Sequence, residues 1–171
     1  MDSQKERSRR DDISSSEAQV QDDREVQEGG GRVAAGDLVL LILRVILGVV
    51  FFAHGAQKLF GWFGGKGLEA MAGFLEAKLG MAPGMMWAVL AGGGEFFGAI
   101  LVFIGLLTRF AALVLCIVMG VAIAKVHFPA FFLSHGGMEY ALTLLLVALA
   151  LCVGGGGRIS LDFYFCGKGK K

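Results

Sequence analysis

Polar and apolar positions along the chain separate into a charged lead and four apolar blocks. Residues 1–36 (MDSQKERSRRDDISSSEAQVQDDREVQEGGGRVAAG) hold no aromatic side chain, dense charge of both signs, a serine run at Ser14–Ser16 and a glycine run at Gly29–Gly31. So little apolar surface cannot offset the entropy of ordering, so this segment is expected to be a disordered charged N-terminal tail. It does not read as a signal peptide, because the apolar stretch starts late and no small-residue cleavage site follows it. The blocks run from Leu38 to about Ala53 (with a helical continuation to Phe60 open), from about Met85 to Leu107, from Phe110 to about Val126, and from about Gly137 to Val153. A bilayer-spanning helix takes about 20 mostly apolar residues. The second block meets that length easily, the third and fourth only with their flanks. Backbone groups in hydrocarbon must be satisfied within their own segment. The pattern therefore predicts an all-α fold, a polytopic membrane four-helix bundle.

The connection between the first two blocks carries one more element. In 68–79 the apolar residues Leu68, Met71, Ala72, Leu75 and Leu79 recur at helical spacing while Glu69, Glu76 and Lys78 avoid that stripe. This predicts a short interfacial helix in loop 1, ended before Pro83 breaks the chain ahead of helix two. The link between helices two and three, at Thr108-Arg109, is short enough to make them antiparallel neighbours.

Composition sharpens the picture. Hydrophobic residues make up 55% and charged residues 18%, and residues 1–37 alone hold six of the 16 Lys/Arg and ten of the 15 Asp/Glu. The remaining chain is far poorer in charge than a water-soluble fold. A net charge of +1 gives no basic field, so nucleic-acid binding has no support. Three cysteines without a close pair exclude a disulfide framework and a CxxC motif. With the amino terminus inside, the inner helix ends carry seven Lys/Arg (Arg24, Arg32, Arg109, Arg158, Lys168, Lys170, Lys171) against four outside (Lys58, Lys66, Lys78, Lys125). That asymmetry favours both termini in the cytoplasm.

Four ionisable residues lie in or against the apolar blocks: Arg44, Glu95, Lys125 and Glu139. Glu95 falls mid-way along the second block, among Gly92, Gly93, Gly94 and Gly98, where the Gly94-xxx-Gly98 spacing admits a close neighbour. A carboxylate at that depth is neutralised or paired. It reads either as a proton-relay or ligand-binding group, or as half of a structural ion pair, most simply with Arg44. Arg44 lies about 9 Å into helix one and has the further option of snorkelling toward the interface. His54, Gln57, Lys58 and Gly61 share one helical face, with Trp62 and Phe63 where interface aromatics belong. Lys58 and Trp62 alone fit an aromatic anchor with a snorkelling lysine. A His and a Gln on the same stripe have no place in that reading. In a four-span topology His54, His127, His135 and Glu139 fall on one membrane face. His54, Gln57, Lys58, Glu95, His127 and Glu139 are therefore the candidate ligand-binding residues, suited to a quinone head, a metal ion or a small polar redox ligand. The bland alternative is a set of unrelated interfacial side chains. No metal-ligand spacing is diagnostic, and no metal site is expected. A G-G-x-E-aromatic echo links Gly92–Phe96 with Gly136–Tyr140. Cys116 and Cys152 read as small hydrophobes, and Cys166 as a lipidation site or a reduced thiol.

Arg44-Val-Ile-Leu-Gly48, His54-Gly-x-Gln57-Lys58-Leu-Phe-Gly61, Gly-Gly-Glu95-Phe, Gly105-Leu-Leu-Thr108-Arg109, Lys125-Val-His127, Gly137-Met-Glu139-Tyr140 and Arg158-Ile-Ser-Leu-Asp162 stand in order along the chain. Together they resemble the DoxX family of small bacterial and archaeal membrane proteins over about residues 38–163. The resemblance implies a DoxX-like four-helix transmembrane domain at 37–163, followed by a short basic C-terminal tail at 164–171, in a bacterial plasma (inner) membrane. It also implies redox association, since the founding member is a subunit of a thiosulfate:quinone oxidoreductase. The family supplies no agreed catalytic residues to carry over. The leading expectation is a membrane subunit of quinone-linked redox chemistry, with no intrinsic cofactor and a diffusible quinone as ligand. Its partners would be the lipid bilayer and soluble redox enzymes or another oxidoreductase subunit. The alternatives are a non-enzymatic scaffold for such enzymes, and a small-solute or proton pathway that would need a homo-oligomer. An isolated electron-transfer enzyme is disfavoured by the lack of a dinucleotide fingerprint, cysteine cluster or flavin motif.

Overall fold

Helix one begins where the charge density falls and ends where glycines begin. In the computed structural model, which describes Gln19 and residues 35–167, α1 spans Ala35–Phe60. A single turn at Trp62–Gly64 follows, then α2 (Gly67–Leu79), α3 (Gly84–Ile104) and α4 (Thr108–Ala122). Helix α4 runs on through a wider π-helical turn at Ile123–His127; a short turn at Leu133–His135, α5 (Glu139–Gly154) and α6 (Leu161–Gly167) complete the chain. The described residues 35–167 form one compact unit, and no strand occurs among the described residues. The expected tail at 1–36 lies almost wholly outside the described residues. At the other end the expected tail from 164 begins as helix, with α6 continuing to Gly167.

Three helical stretches, Ala35–Phe60, Gly84–Ile104 and Thr108–His127, are long and apolar enough to cross a membrane. The fourth, Glu139–Gly154, is shorter, about 24 Å at 1.5 Å per residue. Large apolar side chains such as Val49, Leu90, Phe97, Phe110, Ile117 and Leu146 face outward. The fold is an all-α polytopic membrane bundle whose exterior meets lipid.

Small residues bring the helices together. The buried stripe of α3 is Gly84, Ala88, Gly92, Glu95, Gly98, Ala99 and Val102, the kind of surface on which a neighbouring backbone approaches closely. Helix α1 crosses it in antiparallel register: Gly48 sits against Phe103 and Gly55 against Phe96. On the other side Gly94 receives Val114 and Gly98 receives Leu115 of α4, so the Gly-xxx-Gly spacing read from the sequence is a helix contact. A Cβ on Gly55 would stand 2.6 Å from the Phe96 amide nitrogen. Gly55→Ala is therefore expected to force α1 and α3 apart and destabilise the protein by about 1–3 kcal/mol, the usual cost of overpacking, as thermal unfolding in detergent would measure. Between α1, α3, α4 and α5 lies a core of Leu47, Phe51, Ala99, Val102, Leu115, Ala148 and Leu151.

The loop 1 helix forms where its stripe predicted. Ala72 and Leu75 are buried with Ala88 of α3, and Leu68, Met71 and Leu79 pack around them. The junction is tight because Gly84 lies against the Ala72 carbonyl and its amide donates to Glu76 Oε2 at 3.0 Å. The α3–α4 connection differs from expectation. The chain reverses at Gly105–Leu107, one turn before Thr108-Arg109, because Gly105 takes a left-handed conformation (φ 73°) and closes α3. Leu107 is also left-handed (φ 48°), and the Asp162 carboxylate beside it accepts from the Leu107 and Thr108 amides at 2.6 and 2.8 Å. Asp162 thus caps α4 from across the fold.

Candidate functional site

Beyond Asp37 in the first turn of α1, two charged side chains are buried within the spans among the described residues, and they do not meet. Arg44 (2% exposed) donates Nε to the Val102 carbonyl at 3.0 Å and Nη2 to Phe103 at 2.9 Å, and Nη1 to Gly156 at 2.9 Å and Ile159 at 2.6 Å. Its planar fork ties the end of α3 to the loop after α5. The Arg44–Glu95 ion pair expected from sequence is thus corrected, and so is snorkelling. Helix α1 rises past α3 in a register that puts Arg44 level with the end of α3 and Glu95 level with Ala56. The two charges sit about 18 Å apart along the axis, from 12 residues at 1.5 Å each.

Glu95 instead pairs with Lys58, whose Nζ meets Oε1. The register explains the pairing. Gly92, one turn before Glu95, has no side chain, so Leu59 and the Lys58 stem lie across it and the ammonium reaches the carboxylate. Burial is unequal: the Glu95 side chain has no exposure and that of Lys58 has 26%. The second Glu95 oxygen, Oε2, is buried without a hydrogen-bond partner, a state that proteins seldom leave uncompensated.

Lys58 opens onto a pocket of 380 Å³ between the end of α1, the 61–67 turn and α2, walled by Gln57, Lys58, Gly65, Lys66, Met71 and Phe74 among others. Gln57 donates to the Phe63 carbonyl at 3.2 Å, and Gly65 packs against the Gln57 backbone. The turn between them therefore folds back along α1. Phe63 in that turn also walls an apolar groove of 480 Å³ running along Gly48, Val49, Phe52 and Ala53 of α1 and Ala99 and Phe103 of α3. Ala53 and Gln57 are four residues apart, so one face of α1 leads from groove to pocket.

The remaining candidates lie elsewhere. His54 turns to Tyr140 at the start of α5, with ring centroids 6.2 Å apart; this contact places it at the same end of the bundle as the 123–139 connection. His127 Nδ1 lies 2.8 Å from the Gly136 carbonyl, and Glu139 Oε1 accepts from the Leu133 amide at 2.7 Å. Both are clips within that connection. The echo between the two G-G-x-E-aromatic segments is thus one of sequence only, since Glu95 is buried in a helix interface and Glu139 starts a helix. Phe74 of the pocket went unnoticed in the sequence, and Lys66 was read only as an outer charge; the signal that could have placed them was the Gly64-Gly65 pair, which folds the chain back onto α1.

Comparison with known proteins identifies the lineage. The DoxX family model matches residues 39–128, more than half of the chain. The chain belongs to the DoxX family. Among DoxX-related proteins, the Bacillus subtilis protein named "Putative oxidoreductase CatD" is 34% identical over 129 residues, covering 75% of this chain and 88% of its own length. Two uncharacterized Haemophilus influenzae proteins are 32% and 31% identical, covering 72% and 74% of this chain and 80% and 90% of their own lengths. No solved structure matches the chain.

Proposed function

We propose that this DoxX protein is a plasma-membrane subunit of quinone-linked redox chemistry, with both termini cytoplasmic, and that it holds a quinone head beside Lys58. The observation that carries this reading is Lys58 at the wall of the 380 Å³ pocket, paired from behind with the buried Glu95, one of whose carboxylate oxygens lacks a partner. A lysine ammonium has three donors, of which one goes to Glu95. The others are available to a quinone carbonyl, and Glu95, buried behind Lys58, holds the ammonium in place. The adjoining apolar groove suits the prenyl tail. Full reduction of a quinone takes two electrons and two protons. The electrons would come from a soluble redox enzyme or another subunit, and the protons would pass the partly exposed Lys58. A transmembrane proton or solute path finds less support: apart from Asp37, Arg44, Glu95 and Thr108, the buried residues of the described chain are apolar or glycine. Between the levels of Arg44 and Glu95 stand Leu47, Phe51 and Ala99.

The test is quinone content. The purified full-length protein is expected to carry an extractable quinone and to melt higher when a short-chain quinone is added. Glu95→Leu should abolish both without lowering the melting temperature of the ligand-free protein. Wild-type protein that carries no quinone and ignores added quinone would overturn the reading, and so would a Glu95→Leu variant that binds normally.

A further inference from the structure

The opposite end of the bundle holds a second polar cavity that the redox reading does not use. It measures 620 Å³ and lies where the α3–α4 turn, the start of α1 and the loop after α5 converge. Leu40, Phe110 and Phe163 form an apolar wall, and Arg109, Arg158, Ser160, the carboxylates of Asp37 and Asp162 and the backbone of Gly154–Gly157 form a polar one.

The loop has the shape of an anion cradle. Gly155 and Gly157 both take positive φ (74° and 71°), conformations that favour glycine. The Gly155 amide closes α5 onto Leu151, and the Arg158 amide donates to Asp37. Those of Gly156 and Gly157 donate to no described residue. The Arg109 side chain reaches this loop: a Cβ on Gly155 would lie 3.2 Å from its Nε. Arg109 is exposed and makes no hydrogen bond or ion pair among the described residues.

Charge points the same way. Three guanidinium groups converge here, since Arg44 donates to the Gly156 and Ile159 carbonyls from beneath the loop. Two carboxylates answer them. Both Asp162 oxygens are engaged by the Leu107 and Thr108 amides, and Asp37 Oδ1 by the Arg158 amide. Among the described residues the fork of Arg109 is left without a partner. An apolar wall beside an uncompensated guanidinium and free amides matches a phosphate joined to acyl chains.

We propose that this cavity binds the phosphate of an anionic phospholipid, held by Arg109 and the Gly156–Gly157 amides, with an acyl chain along Leu40 and Phe110. Delipidated full-length protein in detergent is titrated with phosphatidylglycerol or phosphatidylcholine, and bound lipid is counted by native mass spectrometry alongside the melting temperature. Phosphatidylglycerol is expected to bind and stabilise, and phosphatidylcholine to do neither. Arg109→Gln should weaken the phosphatidylglycerol effect about tenfold, the loss of a charge-assisted pair. Arg109→Lys, which keeps the charge but not the fork, should fall between. Lys168→Gln, in the basic tail outside the described residues, controls for diffuse attraction and should leave binding unchanged. An undiminished response in Arg109→Gln overturns the proposal. An equal loss in Lys168→Gln does so too, as does equal protection by inorganic phosphate at the lipid's concentration, which would assign the cradle to a free anion.

Discussion

Lys58→Met is expected to destabilise the protein by about 3 kcal/mol, while Glu95→Leu stays within about 1 kcal/mol of wild type. The asymmetry follows from unequal burial. Glu95 has no exposure and a second oxygen already without a partner, so removing the ammonium leaves a carboxyl group in an apolar interface that cannot rehydrate. Lys58, at 26% exposure, can swing its flexible stem into the pocket and keep its charge in water when Glu95 is gone. The double variant, Lys58→Met with Glu95→Leu, should return close to wild-type stability, since an apolar pair of similar volume commonly replaces a buried ion pair without loss. Thermal unfolding of the four proteins in one detergent measures the cycle. Equal losses in the two single variants would mean that the carboxylate is not the more committed partner. The cycle also separates stability from ligand binding: a double variant that melts normally and binds no quinone assigns the pair to function.

Arg44→Leu should cost more, about 4 kcal/mol or above. Four carbonyls, from Val102, Phe103, Gly156 and Ile159, accept from this one side chain; Val102 keeps a second donor in the Gly105 amide, and an orphaned buried acceptor costs about 1–3 kcal/mol. Some of that is recovered because the carbonyls of Phe103 and Ile159 are only part-buried. Arg44→Lys should restore less than half of the loss. A single ammonium cannot span carbonyls on two separate segments as the planar fork does. Unfolding in detergent, with proteolysis of the segment after Gly154 as a local readout, measures both variants. The clamp is snug on its other side as well, since Gly105 packs directly against the guanidinium. A variant Arg44→Leu that melts like wild type and resists protease would show that these bonds add nothing to the join between α3 and the C-terminal loop.

The sequence carried the elements well where periodicity was strong. The α2 stripe of Leu68, Met71, Ala72, Leu75 and Leu79 is the face that packs, because an isolated amphipathic helix has one way to bury its apolar side. Helix α5 was different. Its residues are apolar all round, so nothing in their spacing singles out Ala141, Leu144, Ala148 and Leu151 as the side that is buried. The histidines and Glu139 were grouped correctly by topology to one end, yet grouping by membrane face says nothing about direction. His127 and Glu139 turned into their own loop because its carbonyls and amides needed partners nearby.

From the sequence alone came the membrane bundle, its helices, the burial of Glu95 and the family: hydrophobic length, helical period and glycine spacing are local properties, and they survive being written in one dimension. Which cation answers Glu95 was settled only by the register of α1 on α3. That register is fixed by Gly48 beneath Phe103 and Gly55 beneath Phe96, where two backbones close to contact. A charge pair decays within a few ångströms, so a slide of a few turns along an antiparallel helix exchanges one partner for another.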